Sequence, residues 1–122
     1  MQLRDFSIEN LHIPFKASFQ HSSASRSTTE AVLVKATTAG GNQGLGEGCP
    51  REYVTGETLE TAHQFFTTHR ANFLTIGSLD DLKAWIKSNK SSIDKNPAAF
   101  CAVELALLDA LAKEKNVSVE AL

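Results

Sequence analysis

Apolar and polar residues alternate along Gln2–Phe15, but the alternation changes phase midway. Phe6 and Ile8 share one face, whereas Leu11, Ile13 and Phe15 share the other. This predicts a long strand with a bulge or bend near Glu9–Asn10. Lys16–Arg26 is serine-rich and predicts a loop, with Phe19 and His21 embedded in it. Ser27–Thr38 carries Thr28, Thr29, Val32 and Val34, a β-branched run that predicts a second strand. Ala39–Gln43 contains two glycines and an asparagine, which tolerate the positive φ of a hairpin turn. Gly44–Gly48 then reads as a short returning strand, completing a three-stranded antiparallel meander.

Beyond the strands the period lengthens to that of helices. Leu59, Ala62, Phe66, His69 and Phe73 recur at spacings of three and four and predict one buried helical face. Thr55 is the expected N-cap, with Glu57 in the first turn against the helix dipole. Gly77 and Ser78 separate a second helix, where Ser78-Leu79-Asp80-Asp81 has the form of a capping box and Leu79, Leu82, Trp85 and Ile86 form the inner side. Asn96-Pro97 opens a third helix, with asparagine as cap and proline in the first turn. The fold class is therefore α+β, a three-stranded antiparallel β-meander followed by a bundle of three helices.

The third helix, Asn96–Lys115, is apolar on nearly every side. Phe100, Val103, Leu107 and Ala110 lie on one side, and Cys101, Leu105, Leu108 and Ala112 around the rest. Glu104 and Asp109 interrupt it, about 140° apart at helical pitch. A helix apolar all round is expected to be buried all round, so a second covering layer is expected beyond this chain.

A chain of 122 residues with 42% hydrophobic and 21% charged residues supports one globular domain. A net charge of −2 gives no footprint for nucleic acid or an anionic membrane, and no partner of either kind is expected. No apolar run approaches the ~20 residues of a membrane span, and the N-terminus lacks the apolar core of a secretory signal. Cys49 and Cys101 form no CxxC or zinc-binding pattern, and two reduced thiols in a cytoplasmic protein are the expectation. HExxH, GxSxG and GxxxxGK motifs are absent, so hydrolase, metallopeptidase and nucleotide-binding readings find no residues to carry them.

Gly44–Thr58 (GLGEGCPREYVTGET) and Asn96–Lys115 (NPAAFCAVELALLDALAKEK), with the strands before them, resemble in order and spacing the N-terminal capping domain of the enolase superfamily. The branch is that of muconate lactonizing enzyme, mandelate racemase and dipeptide epimerase. The resemblance implies a cap that closes over a C-terminal barrel domain of the same protein, where Mg²⁺ and the catalytic bases abstract a proton α to the carboxylate of a small substrate. It implies residues 1–115 as the cap, residues 116–122 as the start of a linker to a barrel absent from this chain, and no activity for the chain alone. No catalytic or metal-ligating residue of the family maps onto the chain, so Mg²⁺ is expected in the parent enzyme and not here.

By position, the loops that would meet substrate are Phe19–Arg26 and Cys49–Tyr53, which makes Phe19, His21, Arg26, Arg51 and Tyr53 the candidate substrate-binding residues. His21 can approach a carboxylate or hydrogen-bond its own loop. Arg26 can pair with a distal carboxylate through its planar fork, or reach a backbone carbonyl or Glu30. Arg51 and Tyr53 can contact substrate, or bridge to the barrel and a neighbouring loop. Glu47 is expected to satisfy turn amides. Glu104 and Asp109, on opposed faces, are expected to bond amides or an arginine across an interface. Cys101 is expected to fill core, and His69 to be a satisfied buried histidine. The alternative to a capping domain is a free-standing interaction module whose apolar helix face recruits a partner, and for either reading self-association in isolation is an expectation.

Overall fold

The first two strands run further than the hydrophobic pattern predicts. In the computed structural model, which describes residues 1–21 and 24–122, with the backbone alone for residues 15–21 and 24–29, β1 spans Leu3–His21 and β2 spans Ala24–Thr38. They pair antiparallel, with Phe19 opposite Arg26 and His21 opposite Ala24. Lys16–His21 and Ala24–Arg26 are thus strand, not the predicted loop. A ladder joins backbone groups and needs no apolar side chain, so serine content misleads here. β3 (Gln43–Gly48) pairs with β2, giving the sheet order β1-β2-β3.

The expected bulge near Glu9–Asn10 is absent. Register is unbroken from Asp5 to Pro14, and the shifts lie between Leu3 and Asp5 and between Pro14 and Phe19. Phe6 is buried against the helices and Ile8 half-buried beside it. Asn10 is exposed and meets His63 Nε2 through its Oδ1 at 2.7 Å. Past that point Ile13 is 51% exposed on the opposite face. The apolar phase changes because the strand runs beyond its helical cover, which requires no extra residue.

A single turn, α1 (Glu52–Thr55), follows β3 and closes at Gly56, whose φ of 79° favours glycine. α2 spans Leu59–Phe73. Its N-cap is Thr58 and not the expected Thr55: the Thr58 hydroxyl accepts from Thr61 N–H at 3.1 Å, and the Thr61 hydroxyl accepts from Thr58 N–H at 2.9 Å. α3 (Leu79–Ser88) is capped by Ser78, which accepts from Asp81 N–H at 3.1 Å, as the capping-box pattern predicts. The Asp81 carboxylate accepts from Gly77 N–H rather than from the cap residue. α4 (Lys90–Lys95), α5 (Pro97–Glu114) and a 3₁₀ turn (Val119–Ala121) complete the chain. The predicted meander and three main helices are present, with α1 and α4 as short additions.

The core lies between sheet and helices. Val32, Val34 and Ala36 of β2 are fully buried, and aromatic rings fill the space above them. Phe6 stacks on Phe66 at 5.2 Å between centroids, Trp85 on Phe100 at 5.7 Å, and Phe73 meets Trp85 edge-on at 5.0 Å. His69 sits half-buried among Phe65, Phe73 and Trp85, its Nε2 3.0 Å from Ser92 Oγ. Desolvation holds its pKa below the usual imidazole value.

Helix α5 lies directly on β3. A Cβ placed on Gly46 would come 2.0 Å from the Ala102 carbonyl oxygen, and Gly44 and Gly48 abut Ala106–Ala110 and Ala98–Ala102 in the same way. Glycine at every second strand position and alanine at every fourth helix position let the two backbones touch. α5 also closes the free edge of β3: Leu45 N–H donates to Asp109 Oδ2 at 2.9 Å, and Lys113 Nζ donates to the Gln43 carbonyl at 2.6 Å. Asp109 therefore bonds an amide across an interface, as expected. The helix ends in a Schellman arrangement, with Asn116 at φ 55° and Val117 N–H donating to Ala112 carbonyl at 3.0 Å.

This packing corrects the expectation of burial on every side. Sheet and core bury Ala99, Phe100, Ala102, Val103, Ala106, Leu107, Ala110 and Leu111, while Cys101 and Leu105 are exposed and Leu108 half-buried along one outward stripe. Cys101 is thus not core filling.

Candidate functional site

Pairing places the two candidate loops at one end of the sheet. β3 stops at Gly48 opposite Val32, whereas the β1–β2 ladder continues to His21 and Ala24. The hairpin therefore projects roughly 25 Å past the end of β3 at strand rise. Residues 49–55 emerge at the base of that arm and turn toward it.

Arg51 fixes the turn. It is the N-cap residue of α1, and its Nη1 donates to the Glu30 carbonyl of β2 and to the Pro50 carbonyl. The guanidinium thus holds the 49–55 segment against the root of the hairpin. Tyr53 lies on α1 and is 37% exposed, and Val54 beside it is 69% exposed. An aromatic and an aliphatic side chain at the tip of a polar segment can cover an apolar part of a ligand. Sequence reasoning missed Val54, although Tyr-Val directly after a Pro-Arg turn is the signal that could have found it.

Phe19 and Arg26 are Cα partners near the end of the arm, and His21 is two positions further out. Their side chains lie outside the described residues. The hairpin's described flank carries His12 Nδ1 4.0 Å from Glu30 Oε1, both groups about half exposed. Glu47 is exposed, and among the described residues its carboxylate meets the Cys49 thiol, 3.8 Å from Oε1, rather than the turn amides expected of it.

Glu57 is the residue whose role the sequence concealed. It is 2% exposed, and its two carboxylate oxygens accept from Ala98 and Ala99 N–H at 2.9 and 3.0 Å. Thr55 Oγ1 donates to the same carboxylate at 2.8 Å. Asn96, the expected cap of α5, makes no side-chain cap bond and instead donates to the Ser92 carbonyl. Glu57 supplies the cap and so ties the segment bearing Arg51 and Tyr53 to the longest helix. The arrangement is a rigid base with a short apolar tip and a projecting hairpin, suited to covering a ligand. Among the described residues, no three His, Cys, Asp or Glu side chains gather to hold a metal ion, and no helix is long and apolar enough to cross a membrane.

Residues 6–122 match the family described as mandelate racemase / muconate lactonizing enzyme, N-terminal domain. The chain is similar to an L-Ala-D/L-Glu epimerase of Francisella tularensis subsp. novicida, 32% identical over 107 residues, covering 88% of this chain and 30% of that protein. Its structure is similar to that of a dipeptide epimerase from Methylococcus capsulatus complexed with Mg and the dipeptide L-Arg-D-Lys, with a TM-score of 0.79, 28% identity and coverage of 94% and 32%. It is also similar to a muconate lactonizing enzyme from Mucobacterium Smegmatis complexed with muconolactone, with a TM-score of 0.82, 26% identity and coverage of 99% and 33%. The chain spans about a third of the length of these relatives.

Proposed function

The chain belongs to the family of mandelate racemase / muconate lactonizing enzyme N-terminal domains, and on that basis we propose that it is the substrate-capping domain of a larger Mg²⁺-dependent isomerase or lyase. The parent enzyme abstracts a proton α to the carboxylate of a small substrate, dipeptides first among the candidates. A C-terminal barrel domain of the same protein holds the bases and the ion. Residues 1–115 form the cap, and residues 116–122 begin the connection to the barrel. The described residues of this chain offer no cluster to which Mg²⁺ can be assigned. The intact enzyme is assigned to the cytoplasm.

A cap serves such chemistry by excluding water while charge develops on the substrate. The observation that supports the reading is the shared end of the sheet, where the projecting hairpin and the 49–55 segment converge. In this reading Phe19, His21 and Arg26 on the hairpin, with Tyr53 and Val54 on α1, contact the substrate, and Arg51 positions the second group.

Kinetics of the barrel-containing protein test it. Tyr53→Ala and Val54→Ala should raise KM and reorder preference among dipeptides of different side chain, with kcat changed less. Residues 1–122 alone should turn over none of them. Unchanged KM and ranking for both variants would remove this segment from the substrate site.

A further inference from the structure

The residues on the outward arc of α5 can be ordered by direction. At about 100° per residue, Leu105 lies about 40° to one side of Cys101 and Leu108 about 20° to the other. Cys101 and Leu105 are exposed, and Leu108 is half-buried. Ala112 falls within the same arc, about 20° from Cys101, yet it is only 2% exposed. The sheet and the core lie against the opposite side of the helix, so neither covers it. The chain leaving α5 does. Val117 N–H donates to the Ala112 carbonyl, and the 3₁₀ turn at Val119–Ala121 packs back on the helix. Polypeptide continuing past Leu122 therefore departs beside the stripe, and Val117 and Val119, each 42% exposed, extend its apolar character.

Two acidic residues border the stripe, Glu104 about 40° beyond Leu108 and Asp109 about 40° beyond Leu105. Asp109 is satisfied by Leu45 N–H and Lys113. Glu104 is half-buried, and among the described residues its carboxylate has no hydrogen-bond or ion-pair partner. A carboxylate that loses its remaining water without gaining a partner is costly. A surface that covers this stripe must therefore bring Glu104 a cation.

We propose that the stripe is where the C-terminal portion of the same polypeptide docks, with apolar side chains against Leu105 and Leu108 and a cationic side chain on Glu104. The proposal rests on the reading of the chain as one domain of a larger protein, of which it spans about a third in its relatives. It adds which face of the domain meets the rest and the charge that face selects. A partner joined by the chain leaving α5 reaches the stripe at high effective concentration, so a modest apolar patch with one ion pair is enough to hold it.

The barrel-containing protein is alkylated with iodoacetamide under native conditions, and Cys101 is followed on tryptic peptide 96–113. Leu105→Asp, at a position 43% exposed within the domain, should speed Cys101 alkylation by about tenfold or more as the covering surface lifts. Burial and then the Glu104 charge already hold the Cys101 thiol above its ordinary pKa. A second carboxylate one turn away acts in the same direction and slows alkylation, so acceleration reports uncovering. Glu104→Gln would speed alkylation by removing charge alone, so it is read by trypsin cleavage after Lys115. That rate should rise by about threefold or more while the melt of the domain stays at the parent's.

Equal Cys101 rates in the parent and Leu105→Asp would overturn the docking surface. Cleavage of Glu104→Gln at the parent rate would overturn the role of Glu104. Protection of Cys101 that is lost on dilution would assign the stripe to a second copy and overturn the choice of occupant. KM unchanged in Tyr53→Ala with Cys101 still protected would remove the capping role and leave the docking surface in place.

Discussion

The carboxylate of Glu57 caps the helix that begins at Pro97, accepting from the amide of Ala99 at 3.0 Å across 42 residues of sequence. With Ala98 it satisfies two of the amides that a helix start leaves without partners. A residue that precedes α2 thus caps α5, and the segment between β3 and α2 is anchored at its end as well as by Arg51 at its start.

Glu57→Ala should therefore destabilise by about 2–4 kcal/mol, combining a lost charged cap with buried amides left unpaired. Glu57→Gln should cost less, because one amide oxygen still accepts. Urea midpoints measure both, and an alanine variant within about 0.5 kcal/mol of the parent, the range of neutral surface changes, would show that water replaces the cap.

Gly46→Ala should be among the most damaging single-methyl additions in the chain. The new carbon would meet the Ala102 carbonyl oxygen at 2.0 Å and the Ala106 nitrogen at 2.6 Å, both backbone atoms that cannot swing aside. Separation of β3 from α5 should cost about 3 kcal/mol or more. Leu45→Ala on the outer face of the same strand, where the side chain is 46% exposed, should cost under about 1 kcal/mol. Equal losses would deny the close-packed interface.

His69 gives the domain a pH dependence of defined sign. Burial lowers its folded-state pKa below the ordinary value, about 6.5, that it recovers on unfolding. As pH falls, the unfolded chain takes up the proton first. The stability contribution is therefore full above about 6.5 and declines as pH drops through that value toward the lowered folded one. Urea midpoints between pH 8 and 5 should show this decline in the parent and a shallower one in His69→Gln. Parallel profiles would remove His69 as its source.

Local chemistry made much of this fold legible, and contacts distant in sequence account for the rest. Ser78 before Leu79, Asn96-Pro97 at a helix start and the Val32–Val34 run each report a neighbour's backbone demand, and the elements stand where they predict. Thr55 and Thr58 both precede the same apolar run, so sequence cannot rank them. Gly56 at positive φ closes α1 after Thr55 and leaves the cap to Thr58. Glu57 could not be read at all, since its partners lie on another helix. Of the candidate site, Arg51 and Tyr53 were found from the loop between strand and helix. The reach of Arg51 to Glu30 depends on the β2–β3 register, which side-chain pattern alone does not set.

The outward side of α5 yields the last test. Apolar residues around the whole helix suggested a covering layer on every side, but glycine-lined β3 lets one small sheet bury most of it. Leu111 is 2% exposed and belongs to the buried side, whereas Leu108 is half-buried on the stripe with Cys101 and with Leu105, itself 43% exposed. A charge at Leu111 has no partner and no water, so Leu111→Glu should cost several kcal/mol and unfold a marginal domain. Leu108→Glu can turn its carboxylate to solvent and should cost under about 1 kcal/mol. If the stripe is where isolated copies of residues 1–122 associate, the Leu108 change should lower the sedimentation coefficient at high concentration while the melt stays near the parent's. A Leu108→Glu variant that unfolds as readily as Leu111→Glu would mean that the stripe is sealed within the domain and has no surface to offer a barrel or a second copy.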